Sequence, residues 1–343
     1  MITSRERMTA AIEFSGPDRI PVWHQYLDGF AWEHPEFLRE MFALCPGDAS
    51  VHREQSDEDA IPQKPSPDAP EMLRDRTYRD EWGCLWQYEE PGMQGIVVEH
   101  PVVDYDRVDA YPIPEPGRVD FDLMRAQLAD RQMRRYVWLW APNLFHLLTF
   151  VLGYERFVVD LTLRDEGLLD LMNRIVEEHH IPYIQELCRC NCDAVFFGDD
   201  LGTQQQLMVA PDVWRDTLKE HYRRQFEVVK NSGKHVIMHS DGYIIDIVPD
   251  LMEIGLDALN PQHEIMDSAR FGDMVRGKLC ILTDVDRQFV LPYGSAEEIR
   301  KHIAAIKGKF RTPEGGIVFH GELGLDVPLS NARTMYEAFE EMR

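Results

Sequence analysis

Three stretches decide the fold: AVFFGDD (residues 194–200), HVIMHSDG (235–242) and DALNPQH (257–263). In each, apolar β-branched or aromatic residues are followed at once by acids, amides or a histidine, and helix-like sequence separates the three. Continuous apolar runs of this length are the pattern of parallel strands covered on both faces. Polar residues gathered at the carboxyl ends are how a (β/α)8 barrel presents its active site. The spacing therefore predicts an α/β fold, a TIM barrel, with Asp199, Asp200, His239, Asp241 and His263 on one rim.

Working outward, further strands are predicted at 20–23, 136–141 (YVWLWA), 279–285 (LCILTDV) and 316–322 (GIVFHGE). Helices are predicted at 5–14, 33–44, 120–134, 143–152, 156–162, 165–187, 212–232, 243–254, 269–276, 296–307 and 330–342, the last capped by Ser330. Residues 46–70 are rich in Pro, Asp, Ser and Glu and read as an exposed loop, a lid rather than a linker. Residues 79–98 read as a β-hairpin or small sheet, with Trp82, Trp86 and Tyr88 on alternating positions and Pro91-Gly92 at the turn. The expectation is one barrel domain over residues 1–343, with an amino-terminal helix in 1–19 and a loop and hairpin elaboration in 46–115.

The formal charge of −24 argues against nucleic acid, whose phosphates need Lys and Arg to replace their counterions, and against anionic membrane surfaces. Most of that charge serves solubility. An acidic mouth still suits a cation, a metal ion or a neutral substrate. No apolar run reaches the roughly 20 residues needed to span a bilayer. The first 22 residues lack a signal peptide's apolar core, so a cytoplasmic protein is expected. Six cysteines in 343 residues make no disulfide framework. Three of them alternate as Cys188, Cys190 and Cys192 before the strand at 194, at the bottom of the barrel, and read as free thiols.

Residues two apart on a strand face the same way, so His239 and Asp241 project together. Glu322 ends the last strand, with His320 two residues before it. Strand ends converge across a barrel mouth. His239, Asp241 and Glu322 thus offer a mixed nitrogen and oxygen site for Zn²⁺, with room for a substrate oxygen or water. The other reading of the same residues is an acid–histidine network that orients substrate without metal. Asp199 and Asp200 are adjacent, so one points into the mouth and the other away; Asp284 and Asp286 repeat the pattern on another strand. His263 either reaches the mouth or caps a loop. Among the aromatics, Trp23, Tyr26, Trp82, Trp86 and Trp140 are the candidate walls of a flat apolar pocket, with Trp138 and Phe145 beside them. The chain has no P-loop, G-x-G-x-x-G or G-x-S-x-G motif, which sets those enzyme classes aside.

Over nearly its whole length the chain resembles the uroporphyrinogen decarboxylase superfamily. The resemblance is carried by RERMTAAIEFSGPDRIPV (5–22), the segment 80–114, GDDLGTQQQLMVAPDVWRD (198–216), GKHVIMHSDGYIIDIVPDLMEIGLDALNPQ (233–262) and DVPLSNARTMYEAF (326–339). It implies a TIM barrel and one of two activities, tetrapyrrole decarboxylation or corrinoid-dependent methyl transfer. The decarboxylases carry an arginine-rich element after the first strand, where this chain reads WHQYLDGF (23–30) with no arginine. The methyltransferases bind zinc through His-x-Cys on one strand and a Cys near the last. Here His239 stands at the first position, with Asp241 and Glu322 where the cysteines would be. Either the zinc has become a harder Lewis acid, suited to an ether oxygen, or it has been lost.

The resemblance then implies a methyltransferase that moves a methyl group from a small methylated substrate, a methoxylated aromatic by preference, to cobalt. The corrinoid would be carried by a separate protein docking over the mouth, and a homodimer is compatible with this. Catalysis would fall to Asp199, Asp200, His239 and Asp286, and ligand contact to His263 and the aromatic wall. A lyase acting on a smaller carboxylate and a non-catalytic binding protein are the competing expectations.

Overall fold

The computed structural model describes residues 2–51, 61, 62, 64, 76–88, 95–105, 108–116, 119–129 and 135–343. The strands are β1 (Val22–Tyr26), β2 (Ala49–Val51), β3 (Arg76–Arg79), β4 (Leu85–Tyr88), β5 (Ile96–Glu99), β6 (Tyr136–Trp140), β7 (Ala194–Gly198), β8 (His235–Ser240), β9 (Ala258–Pro261), β10 (Cys280–Leu282) and β11 (Ile317–Leu323). Eight of them form one parallel sheet in the order β1-β11-β10-β9-β8-β7-β6-β2. The ring closes between its two ends: the Asp48 N–H donates to the Val22 carbonyl at 2.7 Å, and the Val22 N–H donates to Asp48 Oδ2 at 3.1 Å. The TIM barrel expected from the apolar runs is present.

An Asp-Ala pair opens three of these strands. Asp48, Asp193 and Asp257 each precede an alanine that begins β2, β7 or β9. Each carboxylate accepts an N–H from the neighbouring strand: Val22, Val137 (2.9 Å) and Val236 (2.8 Å). Each also holds a cation, Arg7 and Arg19 on Asp48, Arg5 on Asp193 and Lys230 on Asp257. Strand starts, which lack an earlier ladder partner, are thereby satisfied. The first helix, Ser4–Ile12, closes this lower end, fixed by a Thr3/Glu6 capping box and by Met8 and Ile12 in the barrel interior.

β2 corrects the reading of residues 46–70 as loop from their first residue. Gly47, Asp48 and Ala49 are buried. A three-residue strand beside a buried acid carries no apolar periodicity. Of the rest of the expected lid, residues 52–60, 63 and 65–70 lie outside the described residues.

Several expected helices are broken, and proline explains most of the breaks. The stretch 165–187 becomes Glu166–Ile175, a π-turn at Val176–His180 and Ile181–Arg189. Pro182 lacks an N–H and crowds the carbonyl of residue 178, so the ladder widens before it. The helix expected at 33–44 runs over Pro35–Leu44, starting on its proline, and a further short helix, Asp28–Glu33, precedes it. The helix of 243–254 shrinks to Val248–Glu253. The stretch 212–232 breaks at Leu218 into Pro211–Thr217 and Lys219–Asn231. Ser330 is not a cap: the last helix, Leu329–Met342, begins a residue earlier on Pro328.

β3, β4 and β5 form a separate antiparallel sheet on the outside of the barrel. Trp82 meets His179 edge-on at 4.9 Å, and Trp86 meets Phe150 in the same way at 4.9 Å. The Trp86 indole donates to Asp80 Oδ2 at 2.7 Å. These two tryptophans fasten the sheet to helices rather than facing the barrel interior. The turn expected at Pro91-Gly92 lies outside the described residues.

Candidate active site and metal centre

Strand alternation fixes what faces the mouth. Trp23, Trp138, Phe196, Ile237, Ala258, Leu282 and Val318 fill the barrel interior in one cluster. Two residues further along each strand stand Gln25, Trp140, Gly198, His239, Asn260, Asp284 and His320; four further stand Asp200, Asp241 and Glu322. The period of two therefore carries acids of four different strands over one lumen.

His239 is the best-defined member. Its Nδ1 lies 2.8 Å from Asn260 Oδ1. The Asn260 amide is oriented by its own Nδ2, which donates to the Leu282 carbonyl at 2.9 Å. An amide oxygen only accepts, so Nδ1 carries a proton and Nε2 is the nitrogen turned to the mouth. Nε2 faces Asp200 Oδ1 and Asp241 Oδ1, each at 3.5 Å. One donor atom from each of Asp200, His239 and Asp241 falls within 4.8 Å of the others, and all three residues are half-buried. A tetrahedral ion with bonds of about 2 Å holds its ligands about 3.3 Å apart. The residues fit zinc.

Two glycines make this approach possible. Gly202 N–H donates to the Asp241 carbonyl at 3.3 Å, where the loops after β7 and β8 cross. Gly242 has φ +86, and a Cβ there would lie 2.1 Å from the Gly202 carbonyl. The buried Ser240 hydroxyl accepts the Leu201 N–H at 3.1 Å and ties the crossing. Asp200 Oδ1 also accepts the Asp241 N–H at 2.8 Å.

The adjacent acids divide their work. Asp199 is buried, and its oxygens accept from the N–H groups of Phe145 (3.0 Å) and His146 (2.9 Å) and from the Tyr222 hydroxyl (2.8 Å). It is the anchor for the start of helix Leu144–Leu152, and burial raises its pKa against those bonds. Asp200 faces the mouth. Burial alone would raise it, but the His146 contact, the His239 charge and the Asp241 N–H together hold it at about 2. His146 Nε2 lies 3.4 Å from Asp200 Oδ2. Burial disfavours its charge, yet Asp200 and Asp199 outweigh that and raise its pKa.

Glu322, expected as the third zinc ligand, is engaged elsewhere. Its Oε2 accepts from Gln25 Nε2 at 2.5 Å, and its Oε1 pairs with Arg287 Nη1 at 3.1 Å. Asp200 takes the place beside His239. Arg287 also bonds Asp241 Oδ1 through Nη2 and approaches Asp284 Oδ2 at 3.5 Å through Nε. Asp284 is buried, and its Oδ1 has no hydrogen-bond partner among the described residues. Burial pushes its pKa up to about 7, against the pull of Arg287 and with the help of Glu322, Asp241 and Asp286.

The remaining candidates sit around this core. The Asp286 carboxylate accepts the Gln288 and Phe289 N–H groups at 2.9 Å each, shaping the loop that carries Arg287. His263 is fully buried beneath the same loop, its Nε2 accepting the Asp284 N–H at 3.4 Å. Trp23 is buried below the mouth, stacked on His320 at 4.2 Å. Tyr26 leans on Phe42. Trp140 is 40% exposed at the end of β6, over Phe196 at 4.3 Å. A cavity of about 160 Å³ opens beside Asp284 and Arg287, with His263, Asp286 and Phe289 around it.

Sequence reasoning missed Arg287, His146, Asn260 and Gln25. A lone arginine directly after Asp284 and Asp286 was the available signal for the first. Cys188, Cys190 and Cys192 form no metal-binding group among the described residues; the Cys190 and Cys192 thiols point at helix carbonyls.

The uroporphyrinogen decarboxylase (URO-D) family model matches residues 80–342, and the chain belongs to that family. No curated protein matches it in sequence. Among solved structures, a methyltransferase from Methanosarcina mazei superposes with a TM-score of 0.70 at 14% identity, covering 99% of each chain. A B12-independent methionine synthase from Shewanella sp. W3-18-1 aligns with a TM-score of 0.45 at 12% identity, covering 64% of each chain. No helix among the described residues is long and apolar enough to cross a membrane.

Proposed function

We propose that this protein is a methyltransferase acting on a small methoxylated aromatic, with the cobalt of a corrinoid on a separate protein as methyl acceptor. The observation that carries the reading is His239 Nε2 facing Asp200 and Asp241 at zinc-like spacing. The full-length likeness to the Methanosarcina methyltransferase supports it. Asp200, His239 and Asp241 are the proposed zinc ligands, Asp200 standing where Glu322 was expected. Bound there, Zn²⁺ supplies a Lewis acid that draws charge off the ether oxygen as the methyl–oxygen bond breaks.

The chain's own residues do the rest. Asn260 holds the His239 ring in register. Trp140, half exposed at the rim, offers the aromatic ring a flat face. Asp284 holds a proton near neutral pH and has an unpartnered oxygen, so it can return a proton to the departing oxygen. Asp199 fixes the helix that presents His146, and His146 steadies Asp200. The corrinoid protein docks over the open mouth. The whole chain works as one domain, because β1 and β2 complete the ring that β6–β11 begin; a cytoplasmic location belongs to the same proposal.

Arg287 favours one second reading, a lyase that binds a small carboxylate and releases carbon dioxide. One experiment separates the two. Metal content is measured on the purified protein, which is then mixed with free cob(I)alamin and a methoxyphenol. Loss of the cob(I)alamin absorbance that depends on zinc supports methyl transfer. Full activity of zinc-free protein, or carbon dioxide release without any corrinoid, overturns it.

A further inference from the structure

The described ion pairs of the mouth share one atom that cannot serve both its partners. Asp241 Oδ1 is 3.5 Å from His239 Nε2, and the same oxygen is the acceptor for Arg287 Nη2. An ion bonded to both His239 Nε2 and Asp241 Oδ1 at about 2 Å would stand against the guanidinium, cation to cation. Arg287 has other attachments on Glu322 and Asp284 through Nη1 and Nε. It can therefore give up Asp241 without leaving the mouth.

We infer that Arg287 and the metal compete for Asp241 Oδ1, so that metal loading frees one face of the guanidinium to bind an anionic group of the substrate, a carboxylate or phenolate. This rests on Asp200, His239 and Asp241 being the metal ligands. Arg287 also lines the cavity of about 160 Å³ beside Asp284 and Phe289. Arginine is suited to such a task because its donors are fixed in a planar fork that matches a carboxylate. Two ligands that relieve one shared contact bind with positive coupling, each strengthening the other by the same factor.

Calorimetry on the full chain tests this, with Zn²⁺ alone, benzoate as the anionic probe and benzamide as its neutral counterpart. In the wild type, Zn²⁺ strengthens benzoate binding at least tenfold and leaves benzamide unchanged. Arg287→Met binds Zn²⁺ at least tenfold more tightly and loses the benzoate effect. Arg287→Gln, which keeps polar contact with Glu322 and Asp284, gives the same direction and stands in if the methionine variant does not fold. His239→Ala combined with Arg287→Met must lose the gain. If that double variant keeps tight zinc binding, the ion sits on the acids Arg287 had held, and the competition is refuted. Unchanged zinc affinity in both single variants also refutes it while leaving the metal site intact. No zinc binding by wild type or variants overturns the metal reading and this inference together.

Discussion

Asn260 Oδ1 lies 2.8 Å from His239 Nδ1, and this contact decides which ring nitrogen faces the mouth. The asparagine is itself buried and bonded to the Leu282 carbonyl. Replacing it by alanine frees the ring to flip and strands a buried carbonyl. Asn260→Ala is expected to weaken zinc binding about 10- to 100-fold. It should cost about 1–3 kcal/mol of stability from the unpaired group. Zinc titration and urea unfolding measure the two effects separately; unchanged zinc affinity would sink the role given to Asn260.

The loop crossing at Gly202 and Gly242 is equally specific. Gly242→Ala must accept a left-handed backbone and a Cβ driven into the Gly202 carbonyl. Strain and clash together predict a loss of at least about 2 kcal/mol. Asp241 is the preceding residue, so zinc affinity should fall with stability. A variant that unfolds at the wild-type urea midpoint would show that the loops do not meet in this way.

Asp284 links stability to pH. Its folded pKa, about 7, lies above the ordinary value for aspartate. The folded state therefore holds the proton where the unfolded state has released it. The stability this contributes is complete below about pH 4 and is lost as pH rises through 7. Asp284→Asn lacks that loss. Its stability relative to wild type should rise between pH 4 and 7 by up to about 1.4 kcal/mol per pH unit. Urea midpoints at four pH values test the sign, and a flat difference would refute it.

Five histidines, four of them buried and His24 half-buried, act in the opposite direction. Burial lowers His24, His180 and His320 to about 3 and His179 and His221 to about 4. Because the unfolded chain takes up these protons near pH 6.5, the stability they give is present above that pH and lost as it falls toward 4. Each group contributes up to about 1.4 kcal/mol per pH unit. Five outweigh the two raised carboxyls, Asp284 and Asp199, so the urea midpoint should drop between pH 7 and 5. A midpoint that climbs over that range contradicts the burial of these rings.

Much of this architecture is legible in the sequence. Runs such as AVFFG and HVIMHS announce covered parallel strands, and the two-residue period places His239 and Asp241 together. What the sequence does not carry is neighbourhood around the ring. β7 lies next to β8, whereas β11 lies three strands away, so Asp200 rather than Glu322 reaches His239. Alternation in the Trp82 and Trp86 segment shows that one face is covered but not what covers it. β2 is invisible because its stability comes from Asp48 and from Arg7, 41 residues distant in sequence.

That ion pair is itself testable. Arg7 is 7% exposed and Asp48 is fully buried. Asp48→Ala would strip the Val22 N–H of its acceptor and leave Arg7 with Asp18 alone, which predicts a loss of about 1–3 kcal/mol. Thermal and urea unfolding should both register it, while a change below about 1 kcal/mol would show that ring closure does not depend on this acid.

The closure between β1 and β2 also governs how the polypeptide behaves when shortened. Trimmed to residue 80, where the family match begins, it would keep β6 to β11 as an open sheet. Its outermost strands would then offer bare rows of N–H and C=O groups to other molecules, the usual start of aggregation. The opening fifty residues thus act as a built-in guard against self-association, a task quite apart from chemistry at the opposite end of the barrel.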